Sequence, residues 1–243
     1  MDIKVKHIAE RLVSLIIFCF FCGVSYSQKQ LPLTTDSMQI SPDTVKSIFL
    51  KTEPPTYYPI ALNRFHAPVC NKVLRAFGYA LGLNFTLASV LLVLPDNVTM
   101  WGRNDKFKWS VIGEQYKNTF TKPPVFDKDL WYINYVGHPY QGAYYYNCMR
   151  SQGATMLESS LFCFGQSVLW EYVWEGGMEQ PSIQDLIVTP ILGSLLGELS
   201  NVATIQMSKQ GYRWYEKVLI CVINPTYAIN NGFKVKHVPP KPF

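Results

Sequence analysis

An apolar run from Tyr79 to Leu94, almost free of polar residues, is the feature that most restricts how this chain folds. Pro68 suits a helix start and Pro95-Asp96-Asn97 a helix end, so the pattern predicts one helix over about 68–94. A helix that is apolar on all sides is buried either in a large protein core or in lipid. The chain is therefore expected to form a compact, membrane-associated bundle of apolar helices.

Apolar periodicity and end signals predict further helices along the rest of the chain. Their expected ranges are 107–120, 143–152, 155–174, a helix that opens at Ser182, and 212–222. The helix over 155–174 carries an apolar stripe of Leu161, Phe164, Val168 and Tyr172. Trp131 to Val136 alternates with period two and is the one short candidate strand. The predicted fold class is all-α, with about five or six helices.

The first 27 residues are typical of a bacterial export signal. A basic start precedes an apolar stretch from Leu12 to Val24, and the small residues of Ser25-Tyr26-Ser27 stand before Gln28. The alternative is an uncleaved anchor, although the apolar run is shorter than the roughly 20 residues of a membrane span. We expect a signal peptide at 1–27, an extended leader that need not be ordered at 28–65, and a helical domain with a Pro-rich tail at 66–243.

Charge and composition exclude some partners and favour others. The net charge is +5, but the basic residues are scattered, so we expect no nucleic-acid partner. No phosphate-binding Gly loop, dinucleotide fingerprint or nucleophile elbow is present, which argues against nucleotide binding and common hydrolases. Charged residues make up 16% of the chain and aromatic residues 14%, which favours a surface that contacts membrane lipid or an envelope protein. The expected location is the periplasm or the membrane-associated cell envelope.

Small residues at a spacing of four predict where helices pack closely. Gly78 and Gly82 share one face of the first helix. The helix that opens at Ser182 has a ridge that changes from polar residues to bare backbone, namely Asp185, Thr189, Gly193 and Gly197. Pro190 interrupts this helix by removing the hydrogen bond to the Leu186 carbonyl, and the hydroxyl of Thr189 is placed to compensate.

Three ionisable residues are the candidate catalytic groups. His138 lies between Gly137 and Pro139 at an expected helix start, where a neutral imidazole can act as base, ligand or donor. Glu171 lies near the end of an apolar helix, and Asp185 lies in the first turn of the next one. Each also has a purely structural interpretation: a cap or buried histidine, an acidic edge, and a capping-box carboxylate, respectively.

Further polar residues are expected to support these three. Glu175 follows Glu171 by four residues, so the two carboxylates can share a proton or bind a cation. The flanking Trp170 and Trp174 would raise a carboxylate pKa. We place Gln141, Glu175 and Gln180 in the surrounding polar shell, and we expect Arg150, Gln141 or His138 to pair with Asp185 and Glu198 to face outward. Cys70, Cys148, Cys163 and Cys221 match no zinc pattern, and the sequence assigns no metal ligand and no cofactor.

Several segments together resemble a known bacterial family. They are Tyr132 to Gly142 (YINYVGHPYQG), Trp170-Glu171-Tyr172, Glu179 to Leu186 (EQPSIQDL), Asn224-Pro225 and Ala228-Ile229-Asn230. In these segments the chain is similar to the family called domain of unknown function 3943, over roughly residues 60–235. That family name assigns no activity, so the resemblance implies kinship and no reaction. A fainter likeness to VanZ-like membrane proteins and YfiM-type envelope proteins involves Glu171, Glu175, Gln180, Asp185, Gly193 and Gly197.

Three functions are compatible with the sequence. The first is a non-enzymatic envelope component that binds lipid or a protein partner through its apolar helices. The second is an enzyme acting on a lipid-like or cell-wall substrate with His138, Glu171 and Asp185 in one polar site inside the bundle. The third is a soluble periplasmic bundle whose polar residues only tie helices together. The second requires these three side chains to lie within about 4–6 Å of each other beside a cleft.

Overall fold

The computed structural model describes residues 56–59, 68–99, 101, 107–126, 128–209, 211–233 and 235–238. The predicted signal peptide, and the predicted leader apart from 56–59, lie outside the described residues. Within the described ranges the fold is all-α, as predicted, and most of the chain is helical.

The helices follow one another with short connections. In chain order they are α1 (Val69–Val93), α2 (Asp96–Thr99), α3 (Trp109–Thr121), α4 (His138–Arg150), α5 (Met156–Leu169), α6 (Ile183–Ser208), α7 (Trp214–Ile223) and α8 (Pro225–Asn231). Two π-helical turns accompany them: the first, Ile133–Gly137, leads into α4, and the second, Trp170–Trp174, extends α5. The helix predictions match α1, α3, α5, α6 and α7 to within a few residues, whereas α8 replaces the turn expected after Asn224.

The candidate strand at Trp131–Val136 is wrong, because these residues form the helical entry to α4. Asn134 is the buried residue of the first π turn, while Tyr135 and Val136 are more than half exposed. The alternation therefore arose from apolar side chains that face outward. Pro139, in the first turn of α4, fits a helix start because its missing N–H needs no partner there.

A short two-stranded sheet joins the end of the predicted leader to the C-terminal tail. Strand β1 (Thr56–Pro59) pairs antiparallel with β2 (Val235–Val238), so that Thr56 lies opposite Val238. No sequence signal predicted this pairing.

Local hydrogen bonds explain where several helices begin and end. Thr155 and Glu158 form a reciprocal capping box at the start of α5. Asn224 caps α8 by accepting the N–H of Tyr227 at 3.2 Å. Gly232 ends α8 in the left-handed conformation, at φ 61°, which a residue with a Cβ rarely adopts.

Helix α4 lies at the centre of the bundle and packs most extensively against α6, then against α5 and α1. The buried hydrophobic cluster is built largely on α4, with Tyr145, Tyr146 and Met149 against Phe162 of α5. Ten of the 13 residues of α4 are buried in this position. The central helix thereby carries its polar residues, including His138, into the interior.

Helices α5 and α6 bury polar and small residues and expose apolar ones. On α6 the buried face consists of Asp185, Thr189, Gly193, Gly197, Ser200, Asn201, Thr204 and Ser208. The opposite face exposes Ile187, Ile191, Leu195, Leu199 and Val202. On α5, Leu161 and Phe164 of the predicted apolar stripe are likewise exposed, whereas Ser159, Cys163 and Ser167 are buried.

Candidate functional site

His138 begins α4, directly after the first π turn. Its side chain is buried, with 7% of the residue exposed. Nδ1 lies 3.2 Å from the hydroxyl oxygen of Thr189, and Nε2 lies 3.7 Å from Oδ1 of Asp185. Both ring nitrogens therefore face polar groups of α6, which fixes the orientation of the imidazole.

Glu171 projects from the second π turn, at the C-terminal end of α5. A π turn inserts one residue into the helical register, and such turns occur frequently at functional sites. The carboxylate is buried, and its Oε2 accepts the backbone N–H of Ser182 at 2.8 Å. Glu171 thereby connects the end of α5 to the start of α6.

Asp185 lies in the first turn of α6, as predicted. Ser182 is the N-cap, because its hydroxyl oxygen accepts the backbone N–H of Asp185 at 3.1 Å. The expected capping box is not completed by Asp185, since Glu171 takes the N–H of Ser182. The Asp185 carboxylate faces His138 instead, and only 2% of the residue is exposed.

His138, Glu171 and Asp185 form one buried cluster, the His–Glu–Asp cluster. One nitrogen or oxygen atom from each side chain lies within 4.8 Å of the other two. Three separate elements supply these side chains: the start of α4, the second π turn and the start of α6. An imidazole and two carboxylates at such distances can share protons or hold a cation.

Glu175, expected to share a face with Glu171, has different partners. Its two carboxylate oxygens accept the indole N–H groups of Trp101 at 3.2 Å and Trp170 at 2.6 Å. The pKa of Glu175 is raised from 4.5 to about 7, chiefly by burial and also by the nearby carboxylate of Asp129. The predicted increase in pKa beside tryptophan is thus found at Glu175, although the indole hydrogen bonds themselves act in the opposite direction.

A cavity of about 250 Å³ lies between α1 and the entry to α4. Its walls are mainly apolar: Leu83, Leu87, Val90, Leu91, Ile133, Trp101 and Trp170. Its polar lining includes His138, Gln141, Glu175, Asp129 and Thr99. His138 therefore belongs both to the cavity wall and to the His–Glu–Asp cluster, while Glu171 and Asp185 lie outside the cavity lining.

The predicted supporting residues have mixed outcomes. Gln141 lines the cavity and donates to the hydroxyl of Tyr145 at 2.7 Å. Gln180 lies apart from the cluster and donates to backbone carbonyls at the end of α3, including that of Lys122 at 3.1 Å. Gln180 thus fastens α3 to the loop before α6.

The expectation for Glu198 is wrong, because this side chain faces Arg150. The Nε atom of Arg150 lies 2.8 Å from Glu198 Oε2, and the hydroxyl of Tyr146 also donates to that oxygen. Of the partners proposed for Asp185, the structure brings His138 to it and gives Arg150 to Glu198.

A family model matches the part of the chain that contains this site. The model of the family described as domain of unknown function (DUF3943) matches residues 123–226. The chain is similar to this family over 123–226, here called the DUF3943 segment, and the predicted resemblance is confirmed there. No curated protein and no solved structure matches the chain. The likeness to VanZ-like and YfiM-type proteins stays a prediction.

The DUF3943 segment contains the whole His–Glu–Asp cluster, the elements that position it, and most of the polar cavity lining. The apolar wall from α1, with Thr99 and Trp101, lies before the matched segment. The cavity is therefore formed where helix α1 and its following turn cover the family segment.

Glycine contacts inside the DUF3943 segment are much closer than those on α1. A Cβ on Gly193 would lie 2.5 Å from the Cα of Gly142, and a Cβ on Gly197 would meet the ring of Tyr146. The helix contact predicted at Gly78 and Gly82 is wrong. A Cβ on either glycine would meet no described atom within 4 Å, so no described helix packs against that face. The close helix contact lies between α4 and α6, and its glycines include Gly142, which the sequence patterns did not single out.

Thr99, Trp101 and Asp129 belong to the cavity but were not expected there as site residues. Thr99 is buried, and its hydroxyl has no hydrogen-bond partner among the described residues. No periodicity marks these residues, because Thr99 ends the one-turn helix α2, Trp101 follows it, and Asp129 lies in the irregular segment before α4. Their proximity to tryptophan in the sequence is the one signal they carry: Thr99 lies two residues before Trp101, and Asp129 lies two residues before Trp131.

Proposed function

We propose that this protein is a membrane-embedded enzyme of the cell envelope that acts on the polar end of a lipid-like substrate. The apolar cavity receives the hydrocarbon part of the substrate, and the His–Glu–Asp cluster acts on its polar end. One observation carries the proposal: His138 lies in the wall of the apolar cavity and also in the buried cluster with Glu171 and Asp185.

The outward faces of α1 and α6 support a location in a membrane. Helix α1 has 25 residues and α6 has 26, and their most apolar windows have mean hydropathies of 1.7 and 1.5. At 1.5 Å per residue, each is longer than the roughly 30 Å hydrocarbon core of a bilayer. Only 17% and 28% of those windows are buried, whereas a core helix of a soluble protein would be mostly covered. Lipid is the environment that best suits this much exposed hydrocarbon.

The buried face of α6 also supports a location in a membrane. Polar and ionisable side chains within α6 point into the bundle, where Thr189 and Asp185 meet His138. Ionisable residues in membrane helices face the bundle interior and mark functional positions, because exposing them to hydrocarbon is costly.

The cavity suits a narrow apolar chain that ends in a polar group. Its volume lies just below the range of about 300–1,000 Å³ for drug-sized pockets, which favours one chain over a bulky ring system. The hydroxyl of Thr99 offers a hydrogen bond to the polar end. Glu175, with a pKa of about 7, can exchange a proton with that end at neutral pH.

The test is a comparison of lipid extracts and of bound lipid. Wild-type protein, Glu175→Gln and Asp185→Asn are expressed in membranes, and lipids are separated and quantified by mass spectrometry. We expect the wild type to deplete one lipid species and accumulate a product, and both variants to lose this change by at least about tenfold. No difference between wild-type and empty-vector extracts would contradict catalysis.

A matched pair of cavity variants tests substrate binding. Leu87→Trp fills the cavity, whereas Leu81→Trp adds the same volume to an exposed position of the same helix. Native mass spectrometry of the detergent-purified chain should show a bound lipid for the wild type and Leu81→Trp but not for Leu87→Trp. Equal lipid binding by both variants would mean that the cavity is not the binding site.

A non-enzymatic lipid-binding protein is the second candidate. It is favoured by the hydrogen bonds of the cluster, since Thr189 and Ser182 also tie α4, α5 and α6 together. In that case the wild type would copurify with a lipid that depends on Leu87, but the lipid extracts would not change. Release of the mature chain by osmotic shock alone would favour the soluble periplasmic bundle over both membrane candidates.

A further inference from the structure

We propose that the His–Glu–Asp cluster binds one divalent transition-metal ion, such as Zn²⁺, Mn²⁺ or Fe²⁺. Its ligands are Nε2 of His138 and one carboxylate oxygen each from Glu171 and Asp185. The inference assigns a cofactor to the proposed site, and it rests on the proposed function only for the role of the metal in a reaction. Metal binding itself can be measured without a substrate.

The chemistry of the donors suits this class of ion. One imidazole nitrogen and two carboxylate oxygens form a mixed set that zinc, manganese and iron accept, whereas Mg²⁺ and Ca²⁺ prefer oxygen alone. Three protein ligands are also the number found in catalytic zinc sites, where the fourth position is left for water or substrate.

The distances fit such an ion after a small contraction. With metal–ligand bonds of about 2.0–2.2 Å, two ligand atoms at a tetrahedral angle are roughly 3.4 Å apart. Nε2 of His138 lies 3.7 Å from Oδ1 of Asp185, and all three ligand atoms lie within 4.8 Å of one another. Binding an ion therefore requires the Glu171 and Asp185 side chains to move closer to His138.

Neighbouring groups hold the ligands in the way that outer-shell partners of metal sites do. The Thr189 hydroxyl meets Nδ1 of His138 and so directs Nε2 towards Asp185. The backbone N–H of Ser182 fixes one oxygen of Glu171 and so orients its carboxylate within the cluster. Because these contacts orient the side chains before any ion binds, the cluster loses little conformational freedom on binding.

The charge of the cluster also favours a bound cation. When both carboxylates are ionised, the cluster carries net negative charge even if His138 is protonated. Burying that charge in an apolar bundle is costly unless protons or a cation compensate it. Arg150, the basic residue of α4, is engaged by Glu198. A divalent ion neutralises both carboxylates at once.

Thr99 provides an independent indication of a ligand next to the cluster. Its hydroxyl is buried and lacks a hydrogen-bond partner among the described residues, and it lines the same cavity as His138. A buried hydroxyl of this kind costs free energy unless a ligand satisfies it. The polar end of the substrate is therefore expected between Thr99 and the His138 wall.

The experiment measures metal content of the full chain in detergent. The protein is treated with chelator, incubated with Zn²⁺, Mn²⁺ or Fe²⁺ alone, freed of excess ion, and analysed by elemental mass spectrometry. We expect about one ion per wild-type chain, and at least about a tenfold lower affinity for Glu171→Gln and Asp185→Asn. Glu198→Gln is the matched control on α6, since that carboxylate pairs with Arg150, and it should bind as the wild type does.

Two further measurements separate loss of the site from loss of the fold. Glu171→Gln keeps an oxygen that can accept the N–H of Ser182, so its melting curve should remain cooperative. Co²⁺ added to the wild type should give the visible absorption bands of a four- or five-coordinate ion. Wild-type protein that holds no more metal than the two folded variants, or that gives no Co²⁺ bands, would overturn the inference.

The outcomes also distinguish this inference from the proposed function. A chain that binds no ion but still binds and turns over lipid would overturn the metal site and leave the proposed enzyme in place. One bound ion per chain, without bound lipid or a change in lipid extracts, would retain the metal site and overturn the proposed function.

Discussion

His138 and Asp185 approach to 3.7 Å because α4 and α6 run side by side in the same direction. One turn beyond His138, Gly142 touches the backbone of α6 at Gly193. Without side chains between the two backbones, a histidine on α4 can reach a carboxylate on α6. The close packing of the helices is therefore a condition for the site and not a separate feature.

Loss of the Thr189 hydroxyl should destabilise the protein by about 1 kcal/mol. Thr189→Val keeps the shape but leaves Nδ1 of the buried His138 without this partner. Thr86→Val is the matched control, because that hydroxyl is exposed and bonds only to the carbonyl of Gly82 in its own helix. Thermal melts in detergent check both. Equal melting temperatures for the two variants would show that the contact to His138 contributes nothing.

A methyl group at Gly193 should destabilise the bundle by about 1–3 kcal/mol or more. Its Cβ would lie 2.5 Å from the Cα of Gly142, and backbone cannot move aside as a flexible side chain can. Gly82→Ala is the control, and it should stabilise α1 by roughly 0.5–1 kcal/mol because nothing lies within 4 Å. Chemical denaturation measures both. If Gly193→Ala were as stable as Gly82→Ala, the close contact between α4 and α6 would be refuted.

The sequence predicts the helices well and singles out the three cluster residues, because both depend on local patterns. Prolines, N-caps and apolar runs mark α1, α5 and α6 in the sequence itself. His138, Glu171 and Asp185 stand out because ionisable residues are rare in such apolar surroundings. That they meet within 4.8 Å depends on how α4, α5 and α6 pack, which no local pattern specifies.

The apolar patterns did not indicate which side of each helix faces the interior of the bundle. The apolar stripe of α5 includes Leu161 and Phe164, and both side chains are exposed while the polar side of α5 is buried. The glycines of α1 were assigned to a helix contact that the described residues do not make. In lipid the apolar side of a helix faces outward, so a hydropathy pattern locates a face but does not say which direction is the interior.

Stability should fall as pH rises through the range in which Glu175 titrates. Its pKa is raised from 4.5 to about 7, so the folded state binds a proton more tightly than the unfolded state does. The stabilisation is complete below about pH 4.5 and is lost as pH rises to about 7, by on the order of 3 kcal/mol. The groups facing Glu175 include Asp129, the indoles of Trp101 and Trp170, and Glu179.

The measurement is the melting temperature of wild type and Glu175→Gln between pH 4.5 and 8. The variant lacks this titration, so the stability difference between the two proteins should change with pH in favour of Glu175→Gln at higher pH. A difference that stays constant over this range would mean that Glu175 is already ionised at pH 5.

A lysine on the outward face of α6 should distinguish a membrane protein from a soluble bundle. Leu195 lies near the middle of α6 and is 60% exposed. In a bilayer, a lysine at the centre of a span costs about 2.5–3.5 kcal/mol, whereas an exposed lysine on a soluble protein changes stability by only about 0.5 kcal/mol. Leu195→Lys should therefore reduce the carbonate-resistant membrane fraction, while Ser110→Lys at an exposed position of α3 should not. If both variants stayed folded and left the membrane fraction unchanged, the apolar face of α6 would not be in contact with lipid hydrocarbon.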